Sequence, residues 1–81
     1  MEIKVLFFAS FRETVGASSV LLTIEEGEST TDIFNQLCEA HPQLKQGADQ
    51  ISVAVNKAYI TAPQQLKHGD EVAFLPPISG G

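Results

Sequence analysis

At 81 residues the chain has room for one hydrophobic core and no second domain. Apolar residues at 43% against 19% charged mark a globular chain, and a formal charge of −5 with only five scattered basic residues argues against a nucleic-acid-binding surface. The apolar runs are too short to span a bilayer and Met1-Glu2-Ile3-Lys4 leads straight into a strand pattern, so a cytoplasmic protein without membrane contact is expected; the single cysteine, Cys38, excludes an internal disulfide, a cysteine zinc site and a self-contained iron–sulfur cluster.

Ile3 to Phe8 read as a strand, with Ile3, Val5 and Phe7 on one face and Lys4, Leu6 and Phe8 on the other. Both faces are largely apolar, which predicts a central strand, buried on one side by a helix and partly covered or given to a partner on the other. Ala9 to Gly16 is a polar connection with room for one short helical turn ending at Gly16. Ser19 to Ile24 form a second strand, with Val20, Leu22 and Ile24 on one face, closed by the acidic loop Glu25-Glu26-Gly27-Glu28.

Ser29-Thr30-Thr31-Asp32 is a helix start, with Ser29 or Thr30 as N-cap and Asp32 in the first turn, where the helix dipole favours an acid. Ile33, Phe34, Leu37, Cys38 and Ala40 supply an apolar stripe at helical spacing, and Pro42 ends it. Gln43 to Gln50 has little periodicity and reads as a loop or a second short helix. Ile51 to Val55 alternate as a third strand, Asn56-Lys57 is a turn and Tyr59-Ile60 a short further strand. Leu66 is expected beneath the loop Lys67 to Asp70, whose Gly69-Asp70 pair favours a tight turn, before a last strand from Glu71 to Leu75. This order predicts an α+β domain of the β-grasp type, a mixed sheet wrapped on one main helix.

Residues 1–75 are thus expected to form the domain and residues 76–81 an extended tail, Pro76-Pro77-Ile78-Ser79-Gly80-Gly81. Two prolines fix φ and remove backbone donors, so the last strand cannot continue through them. Gly80 and Gly81 have no Cβ and fit a narrow cleft, which makes the Gly81 carboxylate the deepest group inserted. Ionised at neutral pH, that carboxylate is a poor acyl donor until something activates it.

Parity places Phe8 and Leu75 opposite Phe7 and Phe74, which are assigned to the helix-covered core. If the two strands are neighbours, Phe8 and Leu75 form an apolar patch beside the tail's exit, bordered by Tyr59, unless loops bury them. Arg12 is a candidate to pair with an acidic group on a partner. Cys38 reads as a small core hydrophobe, not a persulfide carrier, and His41 and His68 lack companions at metal-ligand spacing. With no nucleophile–base pair and no phosphate-cradling glycine set, the chain alone is expected to be catalytically inert.

Three stretches, Leu6-Phe7-Phe8-Ala9-Ser10-Phe11-Arg12-Glu13, Ala54-Val55-Asn56 and Gly69 through Phe74-Leu75-Pro76-Pro77 to Gly80-Gly81, resemble the small sulfur-carrier subunits of molybdopterin synthase, ubiquitin-like β-grasp proteins. The resemblance spans essentially the whole chain. It implies that an adenylyltransferase resembling ubiquitin-activating enzymes uses ATP to convert the Gly81 carboxylate into an acyl adenylate, and that a persulfide donor then supplies sulfur for a thiocarboxylate. That sulfur is expected to attack a cyclic pyranopterin monophosphate in the active site of the large subunit, two transfers building the dithiolene. This chain would bind no cofactor, ATP being consumed by the activating partner, and the catalytic side chains belong to the large subunit.

By the same resemblance the assembly is a heterotetramer, two large subunits at the centre and one small subunit at each end. Gly81 carries the reacting group and Gly80 gives clearance. Pro76, Pro77, Ile78 and Ser79 lie in the partner's channel, and the Phe8–Leu75 patch docks both enzymes. Three other readings use the same residues differently: a thiamine-pathway sulfur carrier, a protein modifier that forms an isopeptide bond through Gly81, and a β-grasp binding module that ignores its tail. The Phe-Phe-Ala…Arg-Glu start and the Phe-Leu-Pro-Pro segment favour the molybdopterin member.

Overall fold

The computed structural model describes residues 1–46 and 48–77. Its strands are β1 (Glu2–Phe7), β2 (Ser19–Thr23), β3 (Ser52–Val55), β4 (Ala58–Ile60) and β5 (Glu71–Leu75), joined in one mixed sheet in the order β2-β1-β5-β3-β4. At the centre β1 and β5 run parallel, pairing Val5 with Val72 and Phe7 with Phe74, and the other pairings are antiparallel. Alternate residues of paired strands share a face, so Ile3, Val5, Phe7, Val72 and Phe74 all meet the helical layer and are at most 2% exposed. The architecture is the expected β-grasp.

The covering helix is α2 (Thr30–Ala40). Ser29 caps it in a reciprocal box: the Asp32 N–H donates to Ser29 Oγ at 3.4 Å and the Ser29 N–H donates to Asp32 Oδ2 at 2.9 Å, which satisfies two otherwise orphaned donors. Ile33, Phe34, Leu37 and Cys38 are buried as the stripe predicts. Ala40, on the same stripe by spacing, is exposed. The helix ends there, and the next buried contact comes from Leu44 in the 3-10 turn Pro42–Lys45. A second 3-10 turn, Ala48–Gln50, completes the stretch that has no clear period.

Because the box satisfies its donors mainly through one hydroxyl and one carboxylate, Ser29→Ala is expected to destabilise the domain by about 1 kcal/mol. Thermal unfolding followed by circular dichroism should then show a midpoint lowered by roughly 4–8 °C, whereas a shift under about 1 °C would mean that Asp32 holds the helix end alone.

The connection after β1 is more ordered than one turn. It forms the helix α1 (Ala9–Val15), entered through Ala9 at φ 51° and closed by Gly16 at φ 83°, whose N–H donates to the Arg12 carbonyl at 2.8 Å. The left-handed residue turns the chain out of the strand, and Phe11 is buried in the core. Its ring lies 6.2 Å from that of Phe34, which in turn lies 5.3 Å from Phe74.

Strands β3 and β4 are joined by Asn56 and Lys57, both at positive φ (51° and 72°), the signature of a two-residue type I′ hairpin. Asn56 also locks the entry to β5: its Nδ2 donates to Asp70 Oδ1 and its Oδ1 accepts from the Glu71 N–H, each at 3.0 Å. Asp70 Oδ2 accepts from the Lys67 N–H at 2.8 Å, Gly69 takes φ 87°, and Leu66 is buried beneath this loop. No helix among the described residues is long and apolar enough to cross a membrane.

Candidate functional site

The face of the sheet turned away from α2 carries an apolar depression of about 270 Å³. Its shape follows from the register. One row across the sheet runs Leu6, Ala73, Ala54, Tyr59, because Leu6 pairs with Ala73, Ala73 with Ala54 and Ala54 with Tyr59. Two adjacent alanines at the centre make a low floor between taller neighbours. Phe8 and Leu75, one step beyond Phe7 and Phe74 on the two parallel central strands, raise the wall on the side where β5 ends.

Phe8 is 43% exposed and Tyr59 70%, an unusual outlay of aromatic surface on so small a domain. Leu6, Ala73 and Leu75 are half-buried. Lys57 and Glu71, of opposite charge, line the rest of the depression. Lys4 stands beside Glu71 in the register, so the charges on this face alternate in sign and offer no uniform field.

The structure therefore brings Phe8, Leu75 and Tyr59 together on one surface, and among the described residues no loop buries Phe8 or Tyr59. Arg12 is exposed on α1 and does not line the depression. It stands in the last turn of α1, where a cation complements the helix dipole. Pro76 and Pro77 are half-buried and continue from β5 without regular structure. Ile78, Ser79, Gly80 and Gly81, the candidate arm and reacting terminus, lie outside the described residues.

Five lining residues escaped the sequence reading: Leu6, Ala54, Lys57, Glu71 and Ala73. Parity alone assigns Leu6 and Ala73 to this face, but the alanine floor exists only once the order β1-β5-β3-β4 is known. Cys38 is buried on α2; burial pushes its thiol up, against a smaller opposing pull from Lys45, which disfavours the thiolate that sulfur chemistry requires. His68 uses Nδ1 to accept the Glu2 N–H at 3.0 Å, at the start of β1 and away from the depression.

Residues 5–81 match the ThiS family. Over 83 aligned positions the chain is 40% identical to the molybdopterin synthase sulfur carrier subunit of Chlamydomonas reinhardtii, with 100% of each covered. It is 37% identical to the subunit of the same name from Arabidopsis thaliana, covering 100% of this chain and 84% of that protein. Among solved structures, SAMP1 of Haloferax volcanii, a small archaeal modifier protein, superposes with a TM-score of 0.85 at 27% identity over 100% of both chains. The match that begins inside β1 runs through the whole sheet to residue 81, and on it the chain belongs to the ThiS family, its likeness within that family being to molybdopterin synthase sulfur carrier subunits.

Proposed function

We propose that this chain is the sulfur-donating subunit of a molybdopterin synthase, carrying sulfur as a thiocarboxylate on Gly81. The observation that carries the reading is likeness over the full length to molybdopterin synthase sulfur carrier subunits, through strand β5 and the residues after it. The surface at the end of β5, formed by exposed Phe8 and half-buried Leu75, supports it, because a carrier needs a docking face near the group it delivers.

The chemistry follows from the carboxylate. Expelling oxide from it is prohibitive, so it attacks the α-phosphorus of ATP in the activating partner, releasing pyrophosphate and leaving AMP as a competent leaving group on the acyl carbon. The terminal sulfur of a persulfide then displaces AMP to give an acyl disulfide, and a second thiol, oxidised to a disulfide with the persulfide's own cysteine sulfur, releases the thiocarboxylate. The resulting thiocarboxylate enters the large subunit, with residues 76–81 acting as the arm; its sulfur attacks the cyclic pyranopterin, and water then hydrolyses the acyl–sulfur bond, leaving sulfur on the pterin and returning Gly81 to a carboxylate. In this scheme Phe8, Leu75 and Tyr59 dock the domain, Pro76 to Ser79 occupy the channel through backbone contacts, and Gly80 gives clearance. Arg12, away from the depression, serves at most as a peripheral contact.

The test is the intact mass of the chain after incubation with ATP, the adenylating partner and a sulfur source, followed by addition of the large subunit and the cyclic pyranopterin. The expected result is a gain equal to the exchange of one oxygen for sulfur, reversed in the second step. A gain that the pterin fails to reverse moves the carrier to another thiolation pathway, such as that of thiamine. The likeness to SAMP1 favours one further reading, a protein modifier joined to lysines through Gly81. Absence of the sulfur gain together with higher-mass conjugates in lysate would establish that reading instead.

A further inference from the structure

Among the described residues strand β2 is an edge of the sheet and pairs with β1 alone. Its inward bonds can be located: the Ile24 N–H donates to the Met1 carbonyl at 2.7 Å, the Met1 amino group donates to the Ile24 carbonyl at 3.1 Å, and the Phe7 N–H donates to the Ser18 carbonyl at 2.9 Å. The alternation of an antiparallel ladder then directs Val20 and Leu22 inward as well, and turns the N–H and C=O groups of Ser19, Leu21 and Thr23 outward. Among the described residues nothing pairs with them across that edge.

Natural edges are blunted by charge, proline or a bulge, and β2 has none of these over Ser19–Thr23. Leu21, at its centre, is 66% exposed. The outward set is also self-complementary. Turned two-fold about Leu21, the strand meets a second copy of itself in a register that pairs Leu21 with Leu21 and each Ser19 with the opposing Thr23, and every outward donor finds an acceptor. A slip of two residues orphans one residue on each strand, and a slip of one brings inward-facing groups into the seam. In the two-fold register Leu21 packs on its counterpart on the open face while Val20 meets Leu22 on the helical face.

We propose that the β2 edge is a self-association surface through which two copies of this chain pair antiparallel into one continuous sheet. Five residues make a seam roughly 17 Å long. Contact is confined to this short seam and the side chains along it, so the dimer is weak and forms at high concentration. Each copy carries a formal charge of −5, so added salt strengthens it. The depression between β1 and β4 lies outside the seam and stays open in the dimer.

The experiment is sedimentation equilibrium of the full chain up to roughly millimolar concentration, with amide chemical shifts recorded over the same series. The weight-average mass is expected to climb from 8.7 kDa toward twice that value, more steeply at high salt, with shifts moving at Ser19, Leu21 and Thr23. Leu21→Glu faces Lys4 within its own chain but faces itself across the seam, and it is expected to stay monomeric with an unchanged circular dichroism spectrum. A constant mass, undiminished association of a folded Leu21→Glu, or shift changes confined to Phe8, Tyr59 and Leu75 would each overturn the proposal. The wild-type shifts decide the matter even if the variant fails to fold.

Discussion

Replacing Phe74 by alanine is expected to remove roughly 3–5 kcal/mol of stability, the ordinary consequence of emptying a fully buried aromatic site. Phe74 is 1% exposed, lies in register with Phe7 on the central parallel pair, and its ring sits 5.3 Å from that of Phe34 at a 49° tilt. The substitution therefore opens a cavity where sheet and helix meet and loses an aromatic contact as well. A domain of this length has about 4–12 kcal/mol in total, at roughly 0.05–0.15 kcal/mol per residue. Urea titration should find the variant's unfolding midpoint far below that of the parent chain. A loss below about 1.5 kcal/mol would show that α2 and the sheet collapse onto the vacated space, making the core softer than its packing indicates.

Deleting Gly80 and Gly81 should do the opposite, leaving stability unchanged within about 0.5 kcal/mol while abolishing sulfur loading. A partner variant separates the reacting terminus from the docking surface. Phe8→Asp keeps the carboxylate but places a charge on the apolar wall, and it is expected to weaken binding to the large subunit by at least ~10-fold while the chain can still be loaded at high concentrations of the activating partner. The measurements are intact mass for loading and calorimetric titration for binding. Loading of the chain lacking Gly80 and Gly81 would remove the terminal-carboxylate chemistry from consideration. Unchanged affinity in Phe8→Asp would move the docking surface elsewhere on the domain.

The two parities of β1 and β5 could be read directly from the sequence, because Phe7 beside Phe8 and Phe74 beside Leu75 leave few ways to fill one core. The helix start was legible to within one residue, Ser29 or Thr30 as cap with Asp32 in the first turn, since a cap is a local device, and the structure selects Ser29. Phe11 was not: one aromatic in a polar stretch carries no period, and its burial depends on Ala9 turning the chain back over the central strands β1 and β5. Ala40 is exposed and Leu44 buried for a similar reason, helical spacing saying nothing about where the sheet beneath runs out. At the site, Phe8 and Leu75 could be picked out as apolar residues of the free parity, with Tyr59 named at the border of their patch. The alanines between them were silent, since Ala54 and Ala73 become a floor only when three strands are laid side by side in register.

The parallel pairing of β1 with β5 also sets the order in which the molecule can come into being. Val5 meets Val72 across nearly the whole length of the chain, so the middle of the sheet is its most non-local contact and carries the largest loop-closure entropy. The hairpin of β3 with β4, and that of β1 with β2, can form early, but neither contains a complete core until β5 inserts between them. High contact order of this kind slows folding and makes it cooperative. The open-face depression draws its lining from both ends of the chain and from the middle, and so it is absent from every intermediate that lacks the last strand. If partners dock there as proposed, a nascent or truncated chain offers them no surface, which restricts recognition to molecules that have finished folding.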